Sequence, residues 1–389
     1  MHVATLARGL AQRGHRVSIV TTAHPNGILR SEKEGVITYF LPQTNPGRYS
    51  HAWGQQCGPF LMSLHRVDPI NVIWGEGAGA FYYLKWHRNP LRLPVVSFLQ
   101  GTYLGELGTS WALARVEGKW KQFACFLPWR TIQYFRWDLW YTRGADAVIG
   151  ASRENARLAR WGYFLPHHRV VASVNGVDVD RFAPNVDAGR QIRARHGISP
   201  DAPVLLHCSR LEPEKGAQLS IQAFSLIRRT RHDAQLLVAG DGSQREELRV
   251  LANRLGIAEA VHFIGHVGND DLPAYYNACD VFLYPTLAVE SFGIAVAEAM
   301  ACGRPVVASR RGGIRTSIDH PATGLLVPPG QVEALAHATR SLLADPQARQ
   351  HMGAAARIKS VEALSVSRMV DDFLAVALRI AGQHLAGNP

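Results

Sequence analysis

The sequence predicts an α/β protein built from two doubly wound, Rossmann-like domains. Its 389 residues exceed what one hydrophobic core usually supports, and 47% of them are hydrophobic, which is enough for two cores. Short apolar strands alternate with helical segments, as in parallel sheets covered by helices. Polar or glycine-rich turns follow several of these strands, and open parallel sheets bind ligands at such turns.

The amino-terminal half begins with a helix, because Val3, Leu6, Ala7 and Leu10 form a helical stripe and Gly14 stands where a C-cap belongs. Apolar runs then predict a series of strands with helices between them. The predicted strands are 17–21, 36–40, 72–74, 95–99, 147–149 and 170–173. The predicted helices are 55–66, 78–87 and 154–161.

The carboxyl-terminal half carries the more informative turns. Ser209-Arg210-Leu211-Glu212-Pro213-Glu214-Lys215-Gly216 follows the predicted strand 204–208, and Gly240-Asp241-Gly242 follows the strand 235–239. Residues 261–267 read as a short strand and turn that include His262. Gly312-Gly313 follows the strand 306–308. These turns are expected at the ligand-binding edge of one sheet.

Residues 290–307 place two carboxylates, Glu290 and Glu298, eight positions apart across the start of a predicted helix. Ser291 is expected to cap this helix, and Gly293 lets a ligand approach the first-turn amides. Unpaired N–H groups at a helix start favour a phosphate or a polyhydroxylated ligand. Considered alone, the two glutamates would more often be residues of a solvated face.

At these residues the chain resembles the retaining nucleotide-sugar glycosyltransferases of family 4, which have the GT-B architecture of two Rossmann-like domains facing a cleft. The resemblance covers nearly the whole chain and is strongest over residues 204–330. It implies transfer of a sugar from a nucleotide-diphosphate sugar, with UDP or GDP as the nucleotide, to a glycan or lipid-linked acceptor in cell-envelope polysaccharide or glycolipid synthesis. It also implies retention of anomeric configuration.

The same resemblance implies that two parts of the chain form domains with different roles. Residues 1–180 would form the acceptor-binding domain, to which a helix over 366–385 returns, and residues 181–365 would form the donor-binding domain. The segment 175–184, which contains an Asn-Gly turn and a proline, has the character of the interdomain crossing.

By resemblance, Arg210 and Lys215 hold the donor diphosphate, and Glu290 contacts the transferred sugar. Glu298 holds the ribose hydroxyls. The other donor-binding positions are the amides of Phe292, Gly293 and Ile294, the turn glycines Gly240 and Gly242, and the turn near His262. The chemistry of the residues agrees, because fixed cations and helix-end amides stabilise a leaving diphosphate.

On the acceptor side, Gln100 occupies the place where family members commonly have a histidine beside the transferred sugar. An amide can hydrogen-bond a sugar hydroxyl but cannot act as a general base. The proton of the acceptor would then pass to the leaving phosphate or to Glu106. Front-face attack with the diphosphate as the proton acceptor needs no enzymic base.

The start of the chain departs from the family pattern, since members usually have a strand and a glycine-rich turn before the helix that begins here at Met1. In a doubly wound sheet that strand is central, and its absence would leave its neighbours with unpaired backbone groups. We therefore expect a start codon placed too far downstream or a truncated fragment.

No metal site is predicted. Asp178-Val179-Asp180 follows an Asn-Gly turn, where turn bonding is the simpler role, and the histidines lack metal-ligand spacing. Arg210 and Lys215 supply the cations for the diphosphate, so metal-independent transfer is expected. The five cysteines are odd in number and widely spaced, and neither a secretory segment nor a membrane span is evident. These features favour a cytoplasmic protein.

The formal net charge of +11 lies mainly in residues 1–180, which carry 20 Lys and Arg against 11 Asp and Glu. Within residues 111–143, six basic residues alternate with five tryptophans. This composition suits docking on an anionic membrane surface from the cytoplasmic side. The alternative is that the tryptophans are core residues and the basic side chains are solvated.

Other classes of function stay open. The basic charge is compatible with nucleic-acid binding, although no nucleic-acid-binding motif is present. The absent first strand and Gln100 are compatible with a catalytically silent nucleotide-sugar-binding or scaffold protein. An epimerase or a phosphorylase could share the two-domain plan, but a phosphorylase would need a cofactor-binding lysine that the sequence does not identify.

Overall fold

A computed structural model describes residues 2–77, 79–87 and 92–386 of the chain. Contacts divide them into two compact α/β units. The first comprises Met1–Tyr103, Pro128–Gly176 and Val366–Pro389, and the second comprises Leu104–Leu127 and Val177–Ser365.

Thirteen strands occur in the described residues. In chain order they are β1 Val17–Thr22, β2 Arg30–Lys33, β3 Val36–Leu41, β4 Ile73–Glu76, β5 Val95–Leu99, β6 Ala147–Gly150, β7 Val170–Ala172, β8 Val204–Cys208, β9 Gln235–Ala239, β10 Val261–Gly265, β11 Val281–Tyr284, β12 Val306–Ser309 and β13 Leu325–Val327. The α-helices, in chain order, are α1 His2–Gln12, α2 His51–Val67, α3 Tyr103–Glu117, α4 Trp120–Gln133, α5 Leu139–Gly144, α6 Arg153–Gly162, α7 Val186–Arg195, α8 Ala217–Arg228, α9 Arg245–Arg254, α10 Leu272–Ala278, α11 Ile294–Ala301, α12 Ile314–Ser317, α13 Val332–Ala344, α14 Pro346–Ala363 and α15 Val366–Ala386.

Every strand that the apolar runs predict is present, but β13 was not predicted, and neither was β2. Its sequence, Arg-Ser-Glu-Lys, is fully exposed and pairs antiparallel with β3 at the edge of its sheet. Charged edge strands lack the apolar alternation by which strands are recognised. The helix predicted over 78–87 is largely a π-helical turn at Tyr83–His87, and Ala78 lies outside the described residues.

The second unit contains a six-stranded parallel sheet in the order β10-β9-β8-β11-β12-β13. The chain builds outward from β8 in one direction and then returns to add β11 on its other side. In such a sheet the loops after the two central strands diverge to opposite faces and leave a crevice at the carboxyl ends. The loops after β8 and β11 are those that carry Arg210, Lys215 and Glu290.

The strands of the first unit form two separate sheets, one with the order β1-β3-β2 and one, entirely parallel, with the order β4-β5-β6-β7. Among the described residues no strand precedes α1.

Helix α15 packs on the first unit. The Phe373 ring stacks on Trp74 with centroids 3.8 Å apart and also contacts Phe98. Helix α15 also packs closely on α1. A Cβ added to Gly9 of α1 would lie 2.5 Å from Val370 Cγ2 of α15. The last helix therefore joins the core of the amino-terminal strands.

We expect Phe373→Ala to destabilise the first unit by about 3–5 kcal/mol, since it removes a fully buried aromatic ring and leaves a cavity. Urea unfolding followed by tryptophan fluorescence measures this change. Leu378→Ala on the same helix is the control, because that side chain is exposed and its loss should change stability by less than about 0.5 kcal/mol. Equal effects of the two substitutions would contradict the described packing of α15.

Candidate functional site

The loops after β8 and β11 meet through an ion pair. Lys215 Nζ lies 2.7 Å from Glu290 Oε1, although the two residues are 75 positions apart. The Tyr284 hydroxyl donates to the same oxygen at 3.0 Å. The Thr286 hydroxyl lies 3.4 Å from it and shares its one proton with the Glu214 carbonyl. Three polar groups therefore contact one carboxylate oxygen, and Oε2 lies outside this network. The structure thus brings together two of the sequence-predicted site residues at the switch point of the sheet.

A backbone junction supports this pair. The Glu214 carbonyl accepts the N–H groups of Leu287 and Ala288, at 2.8 and 3.0 Å, and the Thr286 hydroxyl at 2.9 Å. Lys215, the next residue, is thereby fixed beside the loop that carries Glu290. These hydrogen bonds join the loop after β8 to the loop after β11.

The ion pair is largely withdrawn from water, with side chains 16% exposed for Lys215 and 15% for Glu290. Desolvation of two charges offsets much of their attraction, so such a pair adds little net stability. Loss of one partner alone would leave a buried, uncompensated charge. The arrangement is therefore better suited to presenting a carboxylate and an ammonium at fixed positions than to stabilising the fold.

Arg210 is the exposed cation of the site. Its side chain is 70% exposed and its Nη2 lies 3.7 Å from Glu214 Oε1, so it makes only a loose ion pair. The strand before its loop is tied by a buried histidine: His207 contacts Ser220 Oγ through Nδ1 at 2.9 Å and Ser209 Oγ through Nε2 at 2.8 Å. Complete burial lowers the pKa of His207 to about 4, so the ring is neutral at physiological pH.

Gly240 and Gly242 let the loop after β9 pack against the loop that carries Arg210. A Cβ on Gly240, which has φ +126°, would lie 1.8 Å from the Ser209 carbonyl oxygen. A Cβ on Gly242 would lie 2.6 Å from the Leu211 carbonyl oxygen. The two glycines are required for close approach of backbone to backbone, which positions the Arg210 loop.

Helix α11 starts at Ile294, with Gly293 at the N-cap position at φ +85° and no side-chain capping bond. Ser291 was expected at the N-cap, but that position belongs to Gly293, whose left-handed backbone turns the chain into the helix. The Gly293 carbonyl accepts the N–H groups of Val296 and Ala297. The Phe292 side chain is buried, so this residue offers its backbone rather than its ring to a ligand.

Glu298 lies in the second turn of α11 and is only 7% exposed. Its Oε2 accepts the Tyr276 hydroxyl at 2.8 Å. Burial raises the pKa of Glu298 to about 7, while the Tyr276 hydroxyl and the charge of Arg181 act in the opposite direction. The carboxyl group therefore changes its charge near neutral pH.

His262 is not brought to the other site residues. Its Nε2 lies 2.9 Å from Gln235 Oε1, and Gln235 is the first residue of β9, at the end of the strand opposite to Gly240. Only the turn that follows β10, at Gly265 and beyond, lies at the carboxyl edge, where the Gly265 carbonyl accepts the Gly240 N–H at 2.8 Å.

A second polar cluster lies in the first unit, at the carboxyl ends of its parallel strands. Gln100, which follows β5, donates through Nε2 to Glu76 Oε1 at 2.7 Å. Asn175 donates through Nδ2 to Gln100 Oε1 at 3.3 Å. The amide of Gln100 is thus oriented from both sides. Glu106 lies on the exposed face of the first turn of α3.

The tryptophans of 111–143 are exposed, between 39% for Trp137 and 67% for Trp129. No residue of α4 is buried. The alternative that these tryptophans form a core is therefore wrong. Within the described residues, no helix combines the length and apolar character that a bilayer crossing requires.

Asp178 makes the turn bond that its sequence context predicts, since its Oδ1 accepts the Arg181 N–H at 3.1 Å. Among the residues that the structure describes, no group of three or more His, Cys, Asp or Glu side chains is arranged to hold a metal ion.

Sequence reasoning missed four polar residues that position the predicted ones. Tyr284 and Thr286 bond Glu290, Tyr276 bonds Glu298, and Glu76 bonds Gln100. Three of the four stand at or just after the end of a strand, a position that could have identified them. Tyr276 lies inside a helix, where its sequence gives no such signal.

Two family profiles match the chain, Glycosyltransferase Family 4 over residues 1–181 and Glycosyl transferases group 1 over residues 189–359. Together they cover all but 182–188 and 360–389. A GDP-mannose-dependent alpha-(1-6)-phosphatidylinositol monomannoside mannosyltransferase of Mycolicibacterium smegmatis is 42% identical over 220 residues, which are 55% of this chain and 57% of that protein. The match thus spans little more than half of that relative.

An uncharacterized glycosyltransferase of Methanocaldococcus jannaschii is 26% identical over 90% of this chain and 86% of its own length. Among solved structures, Anabaena HepE in complex with UDP-glucose has a TM-score of 0.74 at 20% identity, covering 97% of this chain and 95% of that one. This likeness shows that the fold is that of GT-B glycosyltransferases.

We expect the unfolding free energy of Glu298→Gln, relative to the wild type, to increase as pH rises. The folded-state pKa of Glu298 is raised from 4.5 to about 7, so the folded protein holds a proton that the unfolded chain releases. The wild type loses the corresponding stability between pH 4.5 and 7, by about 3 kcal/mol, and the glutamine variant does not.

Urea unfolding at pH 5 and pH 8 tests this difference. Glu362→Gln, an exposed carboxyl on α14, is the control and should give no pH-dependent difference of this kind. A stability difference for Glu298→Gln that is the same at both pH values would contradict the raised pKa.

Proposed function

Since the chain belongs to glycosyltransferase family 4, with a group 1 domain and a GT-B fold, we propose that it transfers a hexose from a nucleotide-diphosphate sugar to a lipid-linked acceptor with retention of anomeric configuration. The observation that carries the proposal is the contact between Lys215 and Glu290 at the switch point, beside the start of α11. The cation and the helix start there suit the diphosphate of such a donor, and the carboxylate suits the hydroxyls of its sugar.

The donor diphosphate is assigned to Arg210, Lys215 and the first-turn amides of α11. As the bond between the anomeric carbon and the phosphate oxygen breaks, its electron pair passes to the diphosphate. Two cations and a helix N-terminus stabilise that charge. Arg210 is exposed and loosely paired, so it is available to move onto the phosphates. Because these groups supply the positive charge, we propose transfer without a metal ion, and activity in excess EDTA tests that point.

Glu290 is assigned to the hydroxyls of the transferred sugar. Its Oε1 is held by Lys215, Tyr284 and Thr286, which leaves Oε2 to accept from a ligand hydroxyl. Glu298 is assigned to the ribose hydroxyls, for which its ionised form is the acceptor. Retention then follows from front-face attack, in which the acceptor oxygen bonds the anomeric carbon and its proton passes to the departing phosphate.

The mannosyltransferase relative points to GDP-mannose as the first donor to test and to phosphatidylinositol mannoside as the first acceptor. Acceptor recognition is assigned to the cluster of Glu76, Gln100 and Asn175. Gln100 cannot remove a proton, which agrees with the leaving phosphate as the base. Binding of nucleotide sugar without transfer or hydrolysis would instead support the catalytically silent alternative.

We expect Glu298→Ala to weaken the binding of GDP, and Glu290→Ala to reduce transfer with much less effect on GDP binding. Loss of a buried hydrogen bond to a charged group corresponds to about 10- to 100-fold in either quantity. Calorimetry with GDP, UDP and GDP-mannose, together with a transfer assay, separates the two effects. Glu362→Ala is the control. Wild-type behaviour in both site variants would refute the assignment.

We also propose that 111–143 docks on an anionic membrane surface. The segment combines exposed tryptophans with Arg115, Lys119, Lys121, Arg130, Arg136 and Arg143, and cations attract lipid phosphates while aromatic rings settle at the headgroup level. Docking would place the enzyme beside a lipid-linked acceptor.

Co-sedimentation with vesicles that contain phosphatidylglycerol measures this docking. We expect binding that weakens with salt and that falls several-fold in Trp129→Ser with Ile132→Ser. Ile358→Ser is the matched control, because Ile358 is 57% exposed and Ile132 is 55% exposed. Binding that is insensitive to lipid charge and to these substitutions would count against the proposal.

A further inference from the structure

Helix α3 follows Gln100 in the amino-terminal half of the chain, yet from Leu104 onward it belongs to the second unit. The family resemblance places this segment in the acceptor domain. Its contacts instead reach the residues on either side of Glu290, and these contacts are specific hydrogen bonds.

The first bond joins Thr109 to the backbone directly before Glu290. Thr109 Oγ1 accepts the Val289 N–H at 2.8 Å and donates to the Gly105 carbonyl, one helical turn earlier, at 2.9 Å. The hydroxyl is therefore oriented by its own helix and offers its acceptor side to the loop. A valine at this position would have the same shape but would leave the Val289 N–H without this acceptor.

The second bond comes from Arg311, which follows β12. Its Nη2 donates to the Gly108 carbonyl at 2.5 Å. Two residues later the Gly313 N–H donates to the Glu290 carbonyl at 2.6 Å. The loops after β11 and β12 are thus both tied to the same turn of α3. Burial lowers the pKa of Arg311, which remains a cation at physiological pH.

Close packing supports the two bonds. Ala112 of α3 forms a small apolar cluster with Leu219 and Leu287. A Cβ on Gly108 would lie 3.0 Å from Val289 Cγ2, so the helix and the loop are in direct contact there. None of these contacts involves Lys215. They therefore restrain the backbone of the Glu290 loop separately from the ion pair.

We infer that α3 braces the Glu290 loop, and that Thr109 and Arg311 are positioning residues for the Glu290 carboxylate. Lys215, Tyr284 and Thr286 hold the side chain, whereas Thr109 and Gly313 hold the backbone on either side of it. This inference rests on the proposed role of Glu290 toward the donor sugar. It predicts that the brace affects turnover of the nucleotide sugar more than binding of the bare nucleotide.

The experiment compares Thr109→Val with Thr109→Ser, which keeps the hydroxyl, and Arg311→Met with its neighbour Arg310→Met. Arg310 is exposed and makes only a 3.4 Å contact with the Leu326 carbonyl, so it is a matched control. Three quantities are measured in each variant of the full chain. They are hydrogen exchange of the amides of 286–293, affinity for GDP, and hydrolysis or transfer of GDP-mannose.

We expect Thr109→Val and Arg311→Met to speed exchange in 286–293 and to lower kcat about 5- to 10-fold, the effect of losing one hydrogen bond that orients a reacting group. GDP affinity should fall by less than kcat, since Arg210, Lys215 and Glu298, which the proposed function assigns to the nucleotide, lie outside the braced loop. Thr109→Ser should restore both exchange and kcat, and Arg310→Met should match the wild type.

Wild-type exchange and turnover in Thr109→Val and Arg311→Met would overturn the inference. So would a loss of GDP affinity equal to the loss of kcat, because that pattern indicates general damage to the second unit. If Thr109→Val does not fold, Arg311→Met decides the question by the same readouts. If the wild type neither binds nor turns over any nucleotide sugar, the proposed function fails, and the exchange data alone then decide whether α3 braces the loop.

Discussion

The junction between the loops after β8 and β11 is the constraint on which the site depends. A parallel sheet that reverses its order between these strands leaves their carboxyl ends beside one crevice, but it does not specify how the loops meet. The Glu214 carbonyl joins the two loops, because it accepts three hydrogen bonds from residues 286–288. Lys215 and Glu290 are then held at 2.7 Å with little access to water. Neither charge would remain in this place without the other.

Several polar groups in the second unit are buried at a cost in stability. Glu298 is nearly enclosed, with a pKa near 7, and His207 is fully enclosed and neutral between two serine hydroxyls. Each has a hydrogen-bond partner, as buried polar groups require. His207 lies under the Arg210 loop, and Glu298 lies in the second turn of α11. Burial of these groups lowers the stability of the unit but holds polar groups in place at the carboxyl edge of the sheet. The exposed Arg210 is the opposite case, a cation left free of rigid packing.

Much of the fold could be predicted from the sequence, because apolar strands and glycine-rich turns leave local signals. Apart from β13, which was not predicted, the strands of the second sheet, the helix that follows Glu290 and the turns that carry Arg210 and Gly240 were all predictable. The exposed strand β2 was not, since it is polar throughout. Ser291 was expected to cap α11, but the left-handed Gly293 makes the turn. His262 stands on the predicted strand, yet its ring bonds Gln235 at the far end of β9.

By itself, the sequence determined where strands end and which cations, carboxylates and glycines follow them, because those preferences act over a few residues. Only the tertiary structure decided which of these groups meet. Lys215 lies 75 positions from Glu290, and Thr109 lies 180 positions from Val289. Chain separation on that scale leaves no periodic signal. The exposure of the tryptophans in 111–143 was also decided in three dimensions, since an alternation of aromatic and basic residues is compatible with both a core and a surface until the neighbouring elements are packed.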